Sequence, residues 1–299
     1  MGEIVLLFFF FMRRRPPRST QSRSSAASDV YKRQLPGFST PENLTASTDK
    51  RAVATNKNFL IVASPSLYLE STVRDIRDVP SISDGSTCIG VLTKGFVPSP
   101  SGPRLILDTL ESVLPESYHK GLVYIAGPSH AEEVAMGKLT GLIAASESPM
   151  NSIRFREVLR SRGLLVYSSL DVIGVQVCAT AKNVVAVAFG MLDAIAEDSD
   201  AFGDNTESLL LAAGLNEIQL IGRAMGATHP ETFTSISGVG DLDVTCRSKY
   251  GRNRRFGQDI IKKKMLKEFS GLDDLLSRIT EIGYLPEGAV ACKYVHELS

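Results

Sequence analysis

The sequence has few of the residues that build covalent or metal-held frameworks. Its four cysteines, Cys88, Cys178, Cys246 and Cys292, lie far apart, and no C-x-x-C pair occurs. Buried thiols in a reducing compartment are therefore expected, not a disulfide scaffold. The four histidines, His119, His130, His229 and His296, show no metal-ligand spacing, so no metal is expected. Net charge is zero, which gives no support to a nucleic-acid or membrane partner. The chain also lacks G-x-G-x-x-G. Its one G-x-G, Gly238-Val239-Gly240, runs into Asp241 and does not follow a strand-like run, so spacing alone indicates no dinucleotide loop. Near the start, the apolar run from Ile4 to Met12 is too short to span a bilayer. The arginines Arg13 to Arg15 follow it, which is the wrong order for a secretory signal.

What is present reads as a soluble globular protein. Of the 299 residues, 43% are apolar and 22% charged, and the length suits one large or two ordinary domains. Residues 1–34 stand apart: they hold seven of the 33 Lys and Arg but two of the 33 Asp and Glu, a net of +5. Beyond Met12 this segment is Ser/Arg-rich and has no apolar periodicity. Such a leader suits a transit peptide, but Phe8 to Gln34 resembles translated sequencing-adaptor sequence, and residues 1–34 are expected to lie outside the fold.

From Leu35 to Lys50 turn residues predict a loop. Five apolar runs without alternation follow: Asn58 to Ser64, Thr87 to Lys94, Leu122 to Ala126, Leu139 to Ala145 and Leu164 to Ser168. Runs of that kind suit strands buried on both faces. Helical patterns lie between them, over Ser66 to Asp78 and Arg104 to Leu114. Ser129 followed by Glu132 makes a capping box, which predicts a helix starting at Ser129. Alternating strands and helices predict an α/β domain, residues 35–171, with a mostly parallel sheet. Ligands of such sheets sit beyond the carboxyl ends of the strands. Three of those ends read Ser64-Pro65-Ser66, Thr93-Lys94-Gly95 and Gly127-Pro128-Ser129.

The run from Val172 to Ala196 is long enough for a buried helix, and Lys182 and Asp193 are its only charges. An ammonium there either snorkels to the helix edge or stays buried with a lowered pKa, suited to exchanging protons near neutral pH. Downstream, Asp204 with Glu207 resembles a second capping box, ahead of a helical stretch from Leu209 to Met225. Ser248 to Arg255 packs four cations into eight residues, as a solvated basic loop or an anion site. Ile260 to Ile282 is expected to be a solvent-facing helix, and Val290 to Leu298 resumes a helical pattern. Residues 172–299 are thus expected to form a separate, all-α domain, with the boundary near Asp171.

Taken together, LPGFSTPENLTASTD, LTKGF, GPSHAEEVAMG, ATAKNVVAVAFG, FGDNT, GVGDLDVTC and GRNRRFG resemble, in order, the motifs of bacterial-type NAD(P)-dependent glycerol-3-phosphate dehydrogenase. The resemblance implies a Rossmann-like domain, incomplete at its N-terminal side, and an α-helical substrate domain. It implies interconversion of dihydroxyacetone phosphate and sn-glycerol 3-phosphate, with NAD or NADP as cofactor. Lys182 would be the proton donor and acceptor, with Asp241 and Lys94 as catalytic partners. Lys94, Gly127, Ser129, Asn183, Asp241, Thr245, Gly251, Arg252 and Asn253 would bind substrate. Lys94, Ala131, Arg252, Leu285 and Glu287 would meet the cofactor. A homodimer in the cytoplasm is expected, or in an organelle if a transit peptide preceded the chain.

Departures from the family pattern shape the remaining expectations. The family's opening strand and glycine loop would precede residue 35, and its last helical stretch would follow Ser299. The chain is expected to be a fragment with weak or absent cofactor binding. His130 stands where the family has Phe. The alternative readings are a related β-hydroxy-acid dehydrogenase, disfavoured by the basic Gly251 to Arg255 loop, and a non-catalytic binding fragment.

Overall fold

A computed structural model describes residues 4–7, 37–38, 47–100, 102–248, 251–284 and 286–298, the first four by backbone alone. The five apolar runs all become strands. With one earlier strand the sheet comprises β1 (Ile4–Leu7), β2 (Phe59–Val62), β3 (Cys88–Val91), β4 (Val123–Ala126), β5 (Thr140–Ala145) and β6 (Leu164–Ser169), hydrogen-bonded in that order. Every pairing is parallel except that of β4 with β5, where Tyr124 faces Ala145. The link between those two holds only a five-residue helix and turns the chain back on itself. Strand β1 lies in the segment expected outside the fold, yet it pairs in parallel with β2, Ile4 opposite Phe59. An extended tetrapeptide satisfies the edge amides that β2 would otherwise expose. Most of the expected Leu35 to Lys50 loop lies outside the described residues.

Helices α1 (Ser66–Arg74), α2 (Ile106–Glu111) and α4 (Pro149–Leu159) pack on the sheet, while the short α3 (Ala131–Ala135), which buries none of its residues, lies in the link between β4 and β5. On one face Phe155 of α4 is fully buried against Ile61, Val123, Ile125, Leu142 and Val166. On the other, Leu69 and Val73 of α1 and Ile106 and Leu110 of α2 join Leu60, Val62, Val91 and Tyr124.

The long apolar run is a single helix, α5 (Val172–Ala196). Its length and composition would suit a membrane span, but 83% of its apolar window is buried in the fold, so here it is a core helix. Asp171 caps it: Oδ1 accepts the amides of Gly174 and Thr228, and Oδ2 accepts the Thr232 hydroxyl at 2.7 Å. Around it pack α6 (Asp204–Ala224), α7 (Asp241–Arg247), α8 (Arg252–Lys262), α9 (Leu272–Ser277) and α10 (Glu287–Leu298). Helix α5 contributes Val175 and Ala179 to the sheet core and Val177, Ala181 and Phe189 to the helical core, so one element carries both.

Local signals were less dependable than the long patterns. Helix α3 is capped by His130 and starts at Ala131, because the Ser129 hydroxyl donates to the Gly127 carbonyl 3.1 Å away. Helix α6 is capped by Gly203, whose amide donates to Thr206 Oγ1, so Asp204 is already helical. The continuous helix expected from Ile260 to Ile282 is broken. Lys264 takes a left-handed φ of 51°, and Leu275 and Ile279 turn into the core.

Candidate active site

Three elements bring charges together at the boundary between sheet and helices. Helix α5 carries Lys182 and Asn183, each 4% exposed. The turn after β3 supplies Lys94, and Asp241 opens α7. The approach to Asp241 depends on a glycine: a Cβ on Gly238 would run into the Phe233 carbonyl oxygen. That lets the chain double back through Ile236–Gly240 and deliver the carboxylate to α5.

Lys182 Nζ forms an ion pair with Asp241 Oδ1, and Lys94 Nζ stands 3.5 Å from Oδ2. Asp241 is 2% exposed on its side chain, so this is one carboxylate between two cations, out of water. Burial pushes Lys182 down to about 7. Asp241 opposes that shift, and the neighbouring Lys94 adds to it. For Lys94 the pull of burial is outweighed by Asp241, aided by Glu287, which holds it above the ordinary lysine value. Burial alone would raise Asp241, but the two lysines hold its carboxyl below the usual range. A lysine of lowered pKa in such a site is poised for proton transfer.

The other expected residues divide. Asn183 follows Lys182 in the helix, and Thr245 donates its hydroxyl to the Asp241 carbonyl at 2.6 Å, one turn along α7. Gly251 caps α8, and Arg252 is its first residue, exposed and without a hydrogen-bond or ion-pair partner among the described residues. Asn253 is buried, and its Oδ1 accepts the Gly288 amide at 2.9 Å, so it ties α8 to α10. Gly127 and Ser129 lie on the turn after β4, and Ala131 opens α3. Glu287 opens α10 and lines a crevice with Pro65, Ser66, Lys94 and Gly95. Leu285 lies outside the described residues. A roomier groove of about 460 Å3 runs past Ser169, His229 and Ser237, and none of the charged cluster lines it.

Sequence reasoning missed the support around these groups. Arg254 Nε and Nη2 grip both oxygens of Asp193 at 2.5 and 2.7 Å, and Gln258 donates to the same carboxylate. This fork fixes the start of α8 against α5. Asp193 was visible as a charge in the apolar run, but its partner lies 61 residues away.

A mostly parallel sheet whose strand ends face a helical domain bearing a buried lysine–aspartate pair fits a two-domain, Rossmann-type oxidoreductase. Residues 13–152 match the family model described as NAD-dependent glycerol-3-phosphate dehydrogenase N-terminus, and residues 171–299 match its C-terminus counterpart. The chain belongs to this family of NAD(P)-dependent dehydrogenases. It is 66% identical over 273 residues to glycerol-3-phosphate dehydrogenase [NAD(P)+] of Treponema denticola, covering 89% of this chain and 76% of that one. The enzyme of the same name from Treponema pallidum (strain Nichols) is 57% identical over 274 residues, covering 89% and 77%. Among solved structures, glycerol-3-phosphate dehydrogenase from Coxiella burnetii superposes with a TM-score of 0.74 at 28% identity, over 92% of this chain and 79% of that one. These matches do not favour the related-dehydrogenase or non-catalytic readings.

The described residues fit the nicotinamide end of such a cofactor. Ser64 Oγ is buried without a hydrogen-bond partner at the end of β2. A Cβ on Gly95 would come within 3.2 Å of Ser66 Oγ and narrow the crevice between β2 and β3.

Proposed function

We propose that the Lys182–Asp241–Lys94 cluster carries the interconversion of dihydroxyacetone phosphate and sn-glycerol 3-phosphate, with Lys182 as proton donor and acceptor. The observation that carries this reading is the buried pair of Lys182 and Asp241 beside the strand-end crevice, in a chain of this family. Lys94, Ala131 and Glu287 would hold the nicotinamide end of the cofactor, which would supply or take up the hydride. Hydride addition to the carbonyl carbon leaves negative charge on its oxygen. Lys182 stabilises that charge and gives the oxygen its proton, completing the alcohol. In the reverse direction neutral Lys182 removes the hydroxyl proton as hydride leaves. Asp241 keeps the lysine aimed, and Lys94 adds a second cation toward the substrate. Asn183 and Thr245 line the same pocket.

Arg252 is the phosphate ligand in this reading. Its exposed guanidinium is free among the described residues, and a planar fork can bind two phosphate oxygens. Gly251 and Asn253 flank it, Gly251 as the helix cap and Asn253 as the anchor that sets the helix start.

The test is Lys182→Ala. Turnover should fall by about 10²–10⁴-fold, the usual worth of a positioned acid–base group, while circular dichroism stays that of the parent. Undiminished turnover in a folded variant would remove Lys182 from the role.

A further inference from the structure

Thr180 belongs to no expected site, yet it touches the backbone that carries Lys94. It is fully buried on α5, two residues before Lys182. The Gly95 amide donates to its Oγ1 at 3.1 Å, across 85 residues of sequence. Gly95 has a φ of 124°, a conformation that suits glycine, so the turn at Lys94 is held in a shape few residues adopt. On its other side the turn is tied by Thr93, whose hydroxyl donates to the Ser64 carbonyl at 2.7 Å. Lys94 is thus suspended between two hydrogen bonds, one to the turn that follows β2 and one to the helix that bears Lys182.

We propose that Thr180 is a positioning residue: by accepting the Gly95 amide it holds Lys94 against Asp241 and so sets the charge environment of Lys182. This rests on the reading of Lys182 as the proton donor. Among the described residues the titratable groups around Lys182 are few. Asp241 and Cys246 come from α7, Lys94 from the β3 turn, Cys178 from α5 itself, Tyr124 from β4 and Glu287 from α10. Both thiols are pushed up to about 12 by burial, and burial raises the Tyr124 hydroxyl as well, so these stay neutral near pH 7. Lys94 is the charged neighbour whose place depends on Thr180. It depresses Lys182, so loosening it must let the Lys182 titration rise.

The experiment titrates Lys182 directly, by NMR of its side chain in the full chain labelled with ¹³C-lysine, with Lys182→Arg to identify the signal. This readout needs neither cofactor nor turnover. Thr180→Val keeps the shape and removes the acceptor; Thr180→Ala removes it without the added bulk. Both should raise the Lys182 midpoint by about half a pH unit or more, a modest shift for one charge moved away. Thr180→Ser should titrate as the parent does, and Lys94→Met combined with Thr180→Ala should move the midpoint no further than Lys94→Met alone. An unmoved midpoint in folded Thr180→Ala, with only a lower melting temperature, would reduce Thr180 to a structural role. Additive shifts in the double variant would overturn the proposal too. If Lys182→Ala turns over dihydroxyacetone phosphate at the parent rate, the proton-donor reading itself fails. If that variant is inactive while Thr180→Ala leaves the midpoint in place, only the positioning role fails.

Discussion

A single lysine that must hold a proton in one direction and lack it in the other needs a pKa near the working pH. Burial alone would drive Lys182 too far down; Asp241 returns part of the shift and Lys94 removes some of it again. The sign of the pH dependence follows. In the proposed mechanism reduction uses the protonated amine, so its rate should fall as pH rises through about 7, and oxidation should rise over the same range. Asp241→Asn removes the group that raises the lysine pKa, so the falling limb of reduction should move to lower pH. A stopped-assay pH profile of kcat/KM checks this, and a limb that stays put would mean Asp241 does not govern Lys182. Arg252→Ala should raise KM for dihydroxyacetone phosphate by 10-fold or more, about 1.4 kcal/mol, and leave that for unphosphorylated dihydroxyacetone nearly unchanged. Equal effects on both substrates would reassign Arg252. At this scale the sequence showed Lys182, because a charge inside an apolar run has few explanations. Thr180 was invisible, since a threonine in a helix carries no pattern that predicts an acceptor role for a turn 85 residues away.

Helices α5 and α8 approach more closely than side chains allow. A Cβ on Gly190 would run into the Arg254 carbonyl oxygen, and one on Gly257 into that of Val187. The contact is backbone on backbone, so no rotamer change can relieve it. Gly190→Ala should therefore cost at least the about 1–3 kcal/mol usual for overpacking, read as a lower midpoint in urea unfolding. It should also weaken phosphate binding more than it slows turnover, because α8 starts at Arg252 while Lys182 sits two turns earlier on α5. Full stability in Gly190→Ala would show that the helices have slack. The strands were legible because an apolar run of strand length between turn residues has one stable home, a covered sheet. The antiparallel entry of β5 was not, since strand direction depends on the intervening connection and leaves no mark in the strand. Nor was the break after Lys262, where buried Leu275 and Ile279 outweigh a sequence that reads as continuous helix. The caps fell at His130 and Gly203 instead of Ser129 and Asp204: the spacing was right, but the Ser129 hydroxyl is spent on its own turn and Asp204 is already helical.

Across the whole molecule, α5 joins two cores that would otherwise be separate. Its N-terminal half packs on the sheet and its C-terminal half under α8, with Lys182 between them. In the proposed site a ligand held by Lys182 and Arg252 would brace both cores at once. sn-Glycerol 3-phosphate present at about 100 times its Kd should add about 2.7 kcal/mol of stability, and it should move one cooperative transition, because α5 cannot melt from one core and remain in the other. Glycerol at the same concentration should give no shift, having no phosphate for Arg252. Arg252→Ala should remove most of the ligand-dependent rise while melting like the parent without ligand, since the exposed guanidinium makes no described contact in the fold. Calorimetry decides the matter. A two-step melt in which ligand moves one step alone would place the whole binding energy in one core, and α5 would then be a linker between independent units.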